Sequence, residues 1–144
     1  AWSKAVEQNL MSVIRMTRGV VPAMRERGGG RIVNVAALSA IQPIPRFGLS
    51  VATWAGVIGF SKTLSLEIAA DGITINTICP GIMETELFAL VPDDMRKGLE
   101  ANAQFPHRLG QPDEFAHLVQ HICENGYMNG ETIRLDAAMR MPPR

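Results

Sequence analysis

Residues 28–37 read Gly-Gly-Gly-Arg-Ile-Val-Asn-Val-Ala-Ala, and the fold turns on how they are read. Three consecutive glycines stop a preceding helix, because glycine costs helix stability and supplies the positive φ of a C-terminal cap. The run 31–37 that follows is short, rich in β-branched residues and almost continuously apolar. That pattern fits a parallel strand covered on both faces.

Upstream, Val6, Leu10, Val13, Ile14, Val20, Val21 and Met24 recur at spacings of three and four, which predicts one amphipathic helix over 2–27. Pro22 predicts a kink within it. Downstream, Pro43, Pro45 and Gly48 make a loop of 38–49. A second helix is predicted over 50–70, rich in small residues on one side, Ala52, Ala55, Gly56 and Gly59. Asp71-Gly72 ends it, and 73–78 is a second strand, broken sharply by Cys79-Pro80-Gly81. Loop and short helix follow over 82–106, with Pro92-Asp93-Asp94 opening a helical turn. Pro112, Asp113 and Glu114 start a helix over 112–124, proline and acids lying where the helix dipole favours them. A last strand, 132–135, precedes a Met- and Pro-rich tail. Helices alternating with strands predict an α/β protein with a parallel sheet.

The 144 residues suit one domain, and fourteen basic against fourteen acidic residues leave no net charge. Binding nucleic acid through a basic surface is therefore not expected, since such binding rests on neutralising phosphates. No apolar run approaches the length of about 18 residues that spans a bilayer, so no membrane partner is expected. The start, Ala1-Trp2-Ser3-Lys4, has no basic segment leading into an apolar one, and no secretory leader is read there. Cys79 and Cys123 make no disulfide framework, which favours a reduced, cytoplasmic setting.

Taken in order, several motifs resemble the short-chain dehydrogenase/reductase family, specifically its C-terminal half. They are Asn9-Leu10-Met11, Gly30-Arg31-Ile32-Val33-Asn34-Val35, the run Ala55 to Leu64, Gly72 to Asn76 with Pro80-Gly81 and Thr85, Arg108-Leu109-Gly110 with Pro112, and Asn129-Gly130 through Asp136. The part from Phe105 to Met141 looks most like hydroxyacyl-CoA dehydrogenases and 3-oxoacyl-[acyl-carrier-protein] reductases. The resemblance implies a single partial domain over 1–144: the C-terminal half of a doubly wound, Rossmann-type parallel sheet. The N-terminal half with the dinucleotide fingerprint is absent from these residues, and 82–106 is the substrate-loop region. The chain starts directly in a helix, which the same reading takes as the place of the cut.

The activity implied is NAD- or NADP-linked interconversion of a carbonyl and an alcohol, on an acyl thioester, with the small-molecule substrate itself unassigned. In the family a tyrosine is the acid/base, a lysine depresses its pKa, a serine steadies the substrate oxygen and an asparagine organises a proton relay. A lone tyrosine at about pKa 10 suits that proton transfer poorly without a cation beside it. Matching residue by residue, Asn9 keeps the asparagine position, but Ala37 stands at the serine, Ser50 at the tyrosine and Trp54 at the lysine. Tyr127, the only tyrosine, lies before the last strand and looks structural. Standard tyrosine–lysine chemistry is therefore not expected.

Ser50 reads either as the N-cap of helix 50–70 or as a remodelled catalytic hydroxyl. Ser39 is a loop serine or a substitute for Ala37. Trp54 fills volume or stacks on a ligand. Pro80, Gly81 and Thr85 line the nicotinamide in the family, and alternatively form only a strand-to-loop break. Asn9 and Asn76 have the further option of bridging backbone groups.

The glycines at 28–30 follow a helix and precede a strand, the reverse of a dinucleotide-binding turn, so cofactor binding by this chain alone is not expected. Strand 31–37 lies mid-sheet in the family and would be left here with an unpaired edge, which predicts association. A homo-oligomer through helices 2–27 and 50–70 is the partner implied. His117 and His121 with Glu114 share a helix face but lack further metal ligands, and no metal site is expected. Arg15, Arg18, Arg25 and Arg27 would suit a phosphate of an acyl carrier or coenzyme A. The alternative to an oxidoreductase with a degenerate tetrad is a non-redox binding or oligomerisation module on the same fold. A cofactor-independent enzyme using Ser50 or Ser39 is a third option.

Overall fold

The second strand owes its central place to its composition. In the computed structural model, which describes residues 1–140, the elements are α1 (Trp2–Ala5), a π-helical turn (Val6–Met11), α2 (Ser12–Glu26), β1 (Gly30–Val35), α3 (Gly48–Glu67), β2 (Ile73–Pro80), α4 (Asp93–Glu100), α5 (Pro112–Glu124) and β3 (Thr132–Leu135). Strand β2 is buried from Ile73 through Cys79, which only a strand flanked on both edges and covered on both faces allows. Strands β1 and β3 pair with it in parallel, in the order β1-β2-β3.

Register decides which side chains meet. Ile32 lies beside Ile75 and Asn34 beside Thr77, and directly paired residues share a face of the sheet. On that face Ile32, Ile73 and Ile75 form a buried cluster with Val21 of α2 and Ile68 at the end of α3. Asn34 Nδ2 also donates to Ser61 Oγ of α3 at 2.9 Å. Arg31, one position out of phase, donates from Nε to the Cys123 carbonyl of α5 at 3.2 Å, so α5 covers the opposite face. Ile73, Ile75 and Ile78 are wholly enclosed, and each contributes about 1.5–3 kcal/mol by leaving water.

The inward face of α3 is made of hydroxyls. Thr53, Val57, Ser61 and Ser65 are its buried residues, spaced so that they line one side. Each hydroxyl is satisfied within the helix: Thr53 Oγ1 donates to Leu49 O at 2.9 Å, Ser61 Oγ to Val57 O at 2.8 Å and Ser65 Oγ to Lys62 O at 2.7 Å. Burial therefore leaves no unpaired hydroxyl on this face.

Two turns at the amino-terminal end of the sheet touch through glycines. A Cβ on Gly29 (φ +152°) would sit 2.9 Å from Gly72 O, and one on Gly72 (φ +71°) 3.0 Å from Gly28 O. Arg25 Nε donates to Asp71 Oδ2 at 2.6 Å across the same junction.

Several boundaries differ from the sequence reading. The helix over 2–27 is interrupted by the π-helical turn, whereas α2 runs through Pro22. Strand β1 ends at Val35, although Ala36 N still donates to Ile78 O at 2.8 Å; Ala37 then opens a 3-10 turn, Leu38–Ala40. Helix α3 starts two residues early and closes at Glu67, followed by a 3-10 turn over Ala69–Asp71. Strand β2 continues through Cys79 and Pro80, Pro80 pairing with Leu135. The break comes after Pro80, which lacks only an amide donor and fits a strand end. The sequence-predicted Met- and Pro-rich tail lies, from Met141 onward, outside the described residues.

Candidate active site

Ala37, Pro80-Gly81 and Leu135-Asp136 lie at the carboxyl ends of β1, β2 and β3, the end of an α/β sheet where ligands bind. Helix α3 packs against β2 and against the 3-10 turn that follows Ala37, and the π-helical turn that carries Asn9 packs on α3. π-helical turns recur at functional sites because the extra residue re-aims a side chain. Here Asn9 Nδ2 donates to Thr53 Oγ1 at 3.1 Å. Asn9 thus binds a side chain rather than a backbone group.

Thr53 also donates toward the Leu49 and Ser50 carbonyls, at 2.9 and 3.1 Å. The Asn9 amide is therefore anchored on the turn of α3 that runs from Ser50 to Trp54. Sequence reading missed Thr53, because its partner is 44 positions away and nothing local to either residue announces the contact.

Ser50 is not the N-cap. The cap position is Phe47, and Ser50 is the third residue inside α3, because Gly48 and Leu49 already adopt the helical conformation. Ser50 and Trp54, four apart, lie on one side of the helix, and both are half-buried. Ser39, read as a loop serine, is buried in the 3-10 turn after β1.

Gly81 is required by close approach, since a Cβ there would lie 2.9 Å from Asp136 Cα. Its amide donates to Leu135 O at 2.9 Å, which pins the Pro80-Gly81 turn against the end of β3. Thr85 is exposed at the start of the 3-10 turn Glu86–Leu90. Asn76 does bridge backbone groups: its Nδ2 donates to Met128 O at 2.9 Å and its Oδ1 accepts from Glu131 N at 3.0 Å.

A cavity of about 190 Å³ opens beside this turn, walled mostly by apolar side chains, including Ile82, Met83, Ala103, Pro106 and Met139. Its polar edge includes Asp136, whose nearly buried carboxylate accepts from Arg134 Nε at 2.7 Å. Arg108 and Glu114 also border it, joined by two hydrogen bonds of 2.8 and 2.9 Å. The Arg108 guanidinium, together with the Gln111 amide, holds the Glu114 carboxyl down to about 2. Glu114 is committed to that pairing and His117 and His121 are exposed. Among the described residues no cluster of three or more metal-ligating side chains occurs.

Burial pushes the Cys79 thiol up to about 11, only partly opposed by Arg134. It is a neutral packing group near pH 7 rather than a nucleophile. No helix is long and apolar enough to cross a membrane among the described residues.

The residues present do not fit a dinucleotide by themselves. Gly28 N and Gly29 N donate to Arg25 O and Met24 O at 3.0 and 2.9 Å, so these glycines cap the end of α2. They do not open a helix whose amino-terminus could receive a diphosphate.

A partial Rossmann-type α/β unit, with its candidate groups gathered at the carboxyl ends of parallel strands, is the class these features define. A family model described as enoyl-(acyl carrier protein) reductase matches residues 1–139, and the chain belongs to the short-chain dehydrogenase/reductase family. It is 36% identical to 3-hydroxyacyl-CoA dehydrogenase type-2 of Rattus norvegicus, over 99% of this chain and 57% of that one. Identity to 3-oxoacyl-[acyl-carrier-protein] reductase FabG of Escherichia coli is also 36%, over 97% and 58%. The crystal structure of 3-hydroxyacyl-CoA dehydrogenase type-2 from Mycobacterium avium superposes with a TM-score of 0.92 at 33% identity, covering 99% of this chain and 58% of that one. L-sorbose reductase from Gluconobacter frateurii, solved with NADPH and L-sorbose, gives 0.86 at 30% identity, over 96% and 57%. The chain thus spans little more than half the length of these relatives.

Proposed function

We propose that this chain is the C-terminal part of a short-chain dehydrogenase/reductase-type oxidoreductase whose proton-transfer pair is degenerate. The parent activity is NAD(P)-linked interconversion of a carbonyl and an alcohol, on an acyl thioester. The observation that carries the reading is the turn Ser50–Trp54 with Asn9 tied to it through Thr53. On this reading Asn9 is the asparagine of the family's tetrad, and a serine and a tryptophan, Ser50 and Trp54, stand for the phenol and the ammonium. Neither supplies a proton near neutral pH, and losing positioned acid/base catalysis forfeits a factor of about 10² to 10⁴. A nicotinamide would supply hydride in the parent reaction; this chain's own residues offer the Pro80-Gly81 turn and Thr85 to its nicotinamide end and nothing to its diphosphate.

The direct test is to incubate the chain with NADH or NADPH and acetoacetyl-CoA, following absorbance and thermal stability. No turnover and no stabilisation by either nucleotide are expected. Turnover would overturn the degenerate reading, and tight nucleotide binding would overturn the view that the diphosphate site lies outside these residues.

A second reading, a non-redox oligomerisation or binding module, is favoured by the surface of α3. Its sheet-facing residues are mostly hydroxyl-bearing, so much of its apolar composition lies on its other sides, where Leu66 is 83% exposed; apolar residues on a face away from the core mark a helix covered on more than one side. We place a second copy of the chain against α2 and α3. A cytoplasmic setting goes with both readings and rests on two cysteines that form no disulfide.

A further inference from the structure

We propose that Asn125-Gly126 is a self-modification site: the turn after α5 converts Asn125 to aspartate or isoaspartate by closing a cyclic imide, and His121 delivers the proton to the departing nitrogen. The inference goes beyond the reading above, since neither redox chemistry nor pairing of copies enters it.

The sequence holds three dipeptides in which glycine follows an aspartate or asparagine: Asp71-Gly72, Asn125-Gly126 and Asn129-Gly130. Such pairs are reactive because the glycine nitrogen can reach the preceding side-chain carbonyl carbon. Glycine leaves that nitrogen unshielded and its own backbone free to turn. Two of the three are locked. Gly72 N donates to Ala69 O at 3.1 Å, and Asp71 Oδ2 accepts from Arg25 Nε at 2.6 Å. Gly130 N donates to Ile75 O at 3.0 Å, while Asn129 Oδ1 accepts from Ile75 N at 3.0 Å. Strand β2 thus holds both reacting groups of Asn129-Gly130 in place.

Asn125-Gly126 differs in each respect. Gly126 is exposed, and among the described residues its amide has no acceptor. Asn125 Nδ2, the nitrogen that must leave, lies 3.3 Å from His121 Nε2, one helical turn back. The Arg31 guanidinium lies over the same turn: its Nε donates to Cys123 O at 3.2 Å, and its Nη2 would be 3.5 Å from a Cβ on Gly126. A cation there favours the amide anion that attacks and the oxyanion that forms. At ψ 91° Asn125 places Gly126 N nearly opposite Cβ across the Cα–C bond, so the reaction waits for rotation about that bond. The rotation breaks two hydrogen bonds of the turn, Tyr127 N to Asn125 Oδ1 at 3.2 Å and Met128 N to Asn125 O at 3.1 Å. It leaves Asn125 Nδ2 beside His121, because both belong to the end of α5.

In the reaction Gly126 N gives its proton to solvent and bonds to Asn125 Cγ. The Cγ–Nδ2 bond breaks, and Nδ2 takes a proton from His121 and leaves as ammonia; His121 regains the proton from solvent. Water then adds to either imide carbonyl, giving aspartate, or isoaspartate with the main chain rerouted through Cγ. An amide and a water become a carboxylic acid and ammonia, with no change of oxidation state. The new carboxylate stands at the carboxyl end of α5, where the helix dipole disfavours negative charge.

The test is to store the full chain at neutral pH and follow both asparagines by peptide fragmentation mass spectrometry, with isoaspartate read by enzymatic carboxyl methylation. Asn125 is expected to convert at least about tenfold faster than Asn129, whose reaction requires local opening of its β2 contacts. In urea the two should match, since glycine follows both. Gly126→Ala, whose Cβ meets only an ordinary contact, is expected to slow conversion at least about tenfold by shielding the nitrogen. His121→Phe is expected to slow it roughly tenfold by removing the proton donor, with the circular dichroism of each variant unchanged. The proposal is overturned by an Asn125 that persists as long as Asn129, by a difference between them that urea does not abolish, or by either variant converting at the parent rate. The comparison of the two asparagines in the unaltered chain stands whether or not a variant folds.

Discussion

Ala137 and Ala138 hold left-handed backbone, at φ 49° and 54°. That conformation costs an L-residue roughly 1–2 kcal/mol, and it persists because the segment is held on both sides. Ala137 O accepts from Gln104 N at 2.9 Å, and Met139 is buried against Leu38 and Ala103. Replacing either alanine with glycine relieves the strain, offset by about 0.4–1 kcal/mol of added unfolded-chain entropy. Ala137→Gly and Ala138→Gly are each expected to raise the urea midpoint modestly, with an unchanged slope. Glu114 gives a prediction with a sign. Its carboxyl is lowered from the ordinary 4.5 to about 2, first by Arg108 and then by the Gln111 amide. A depressed carboxyl contributes stability that is present above the unfolded value and lost as pH falls through the folded one. Glu114→Gln is therefore expected to melt below the parent at pH 7, with the gap closing between about pH 4.5 and 2.

At the scale of elements, α3 is the helix most open to test. Gly59 is exposed, and a Cβ added there meets nothing within 4 Å. Gly59→Arg is expected to raise the melting temperature of a dilute sample slightly, since glycine is a poor helix former, while shifting sedimentation from dimer to monomer; an unchanged sedimentation profile would reject pairing through this helix. The sequence indicated a helix over 50–70, found as Gly48–Glu67, but not which side of it faces the sheet. Its apolar residues encircle the helix, and its inward side is marked by hydroxyls whose satisfaction inside the helix is a three-dimensional fact. The π-helical turn was equally hidden, because Val6–Met11 has the composition of an ordinary helix. Strands 31–37 and 73–78 were legible because continuous β-branched runs have few other ways to bury themselves; only their ends moved.

At the scale of the whole molecule, the parallel α/β order was readable from alternation alone. The cavity beside Gly81 was not readable, since its walls come from three separated stretches of chain. The Gly29–Gly72 junction carries a different consequence. A Cβ on either glycine would lie within 3.0 Å of the other turn's backbone, and both stand at positive φ, so neither position has room for a side chain. In a library of random variants, both positions should therefore tolerate nothing but glycine, whatever property is selected. They supply a built-in standard: a substitution at Ser50 or Trp54 that survives at frequencies well above theirs has been tolerated by folding, and any remaining depletion can be read as a cost to function.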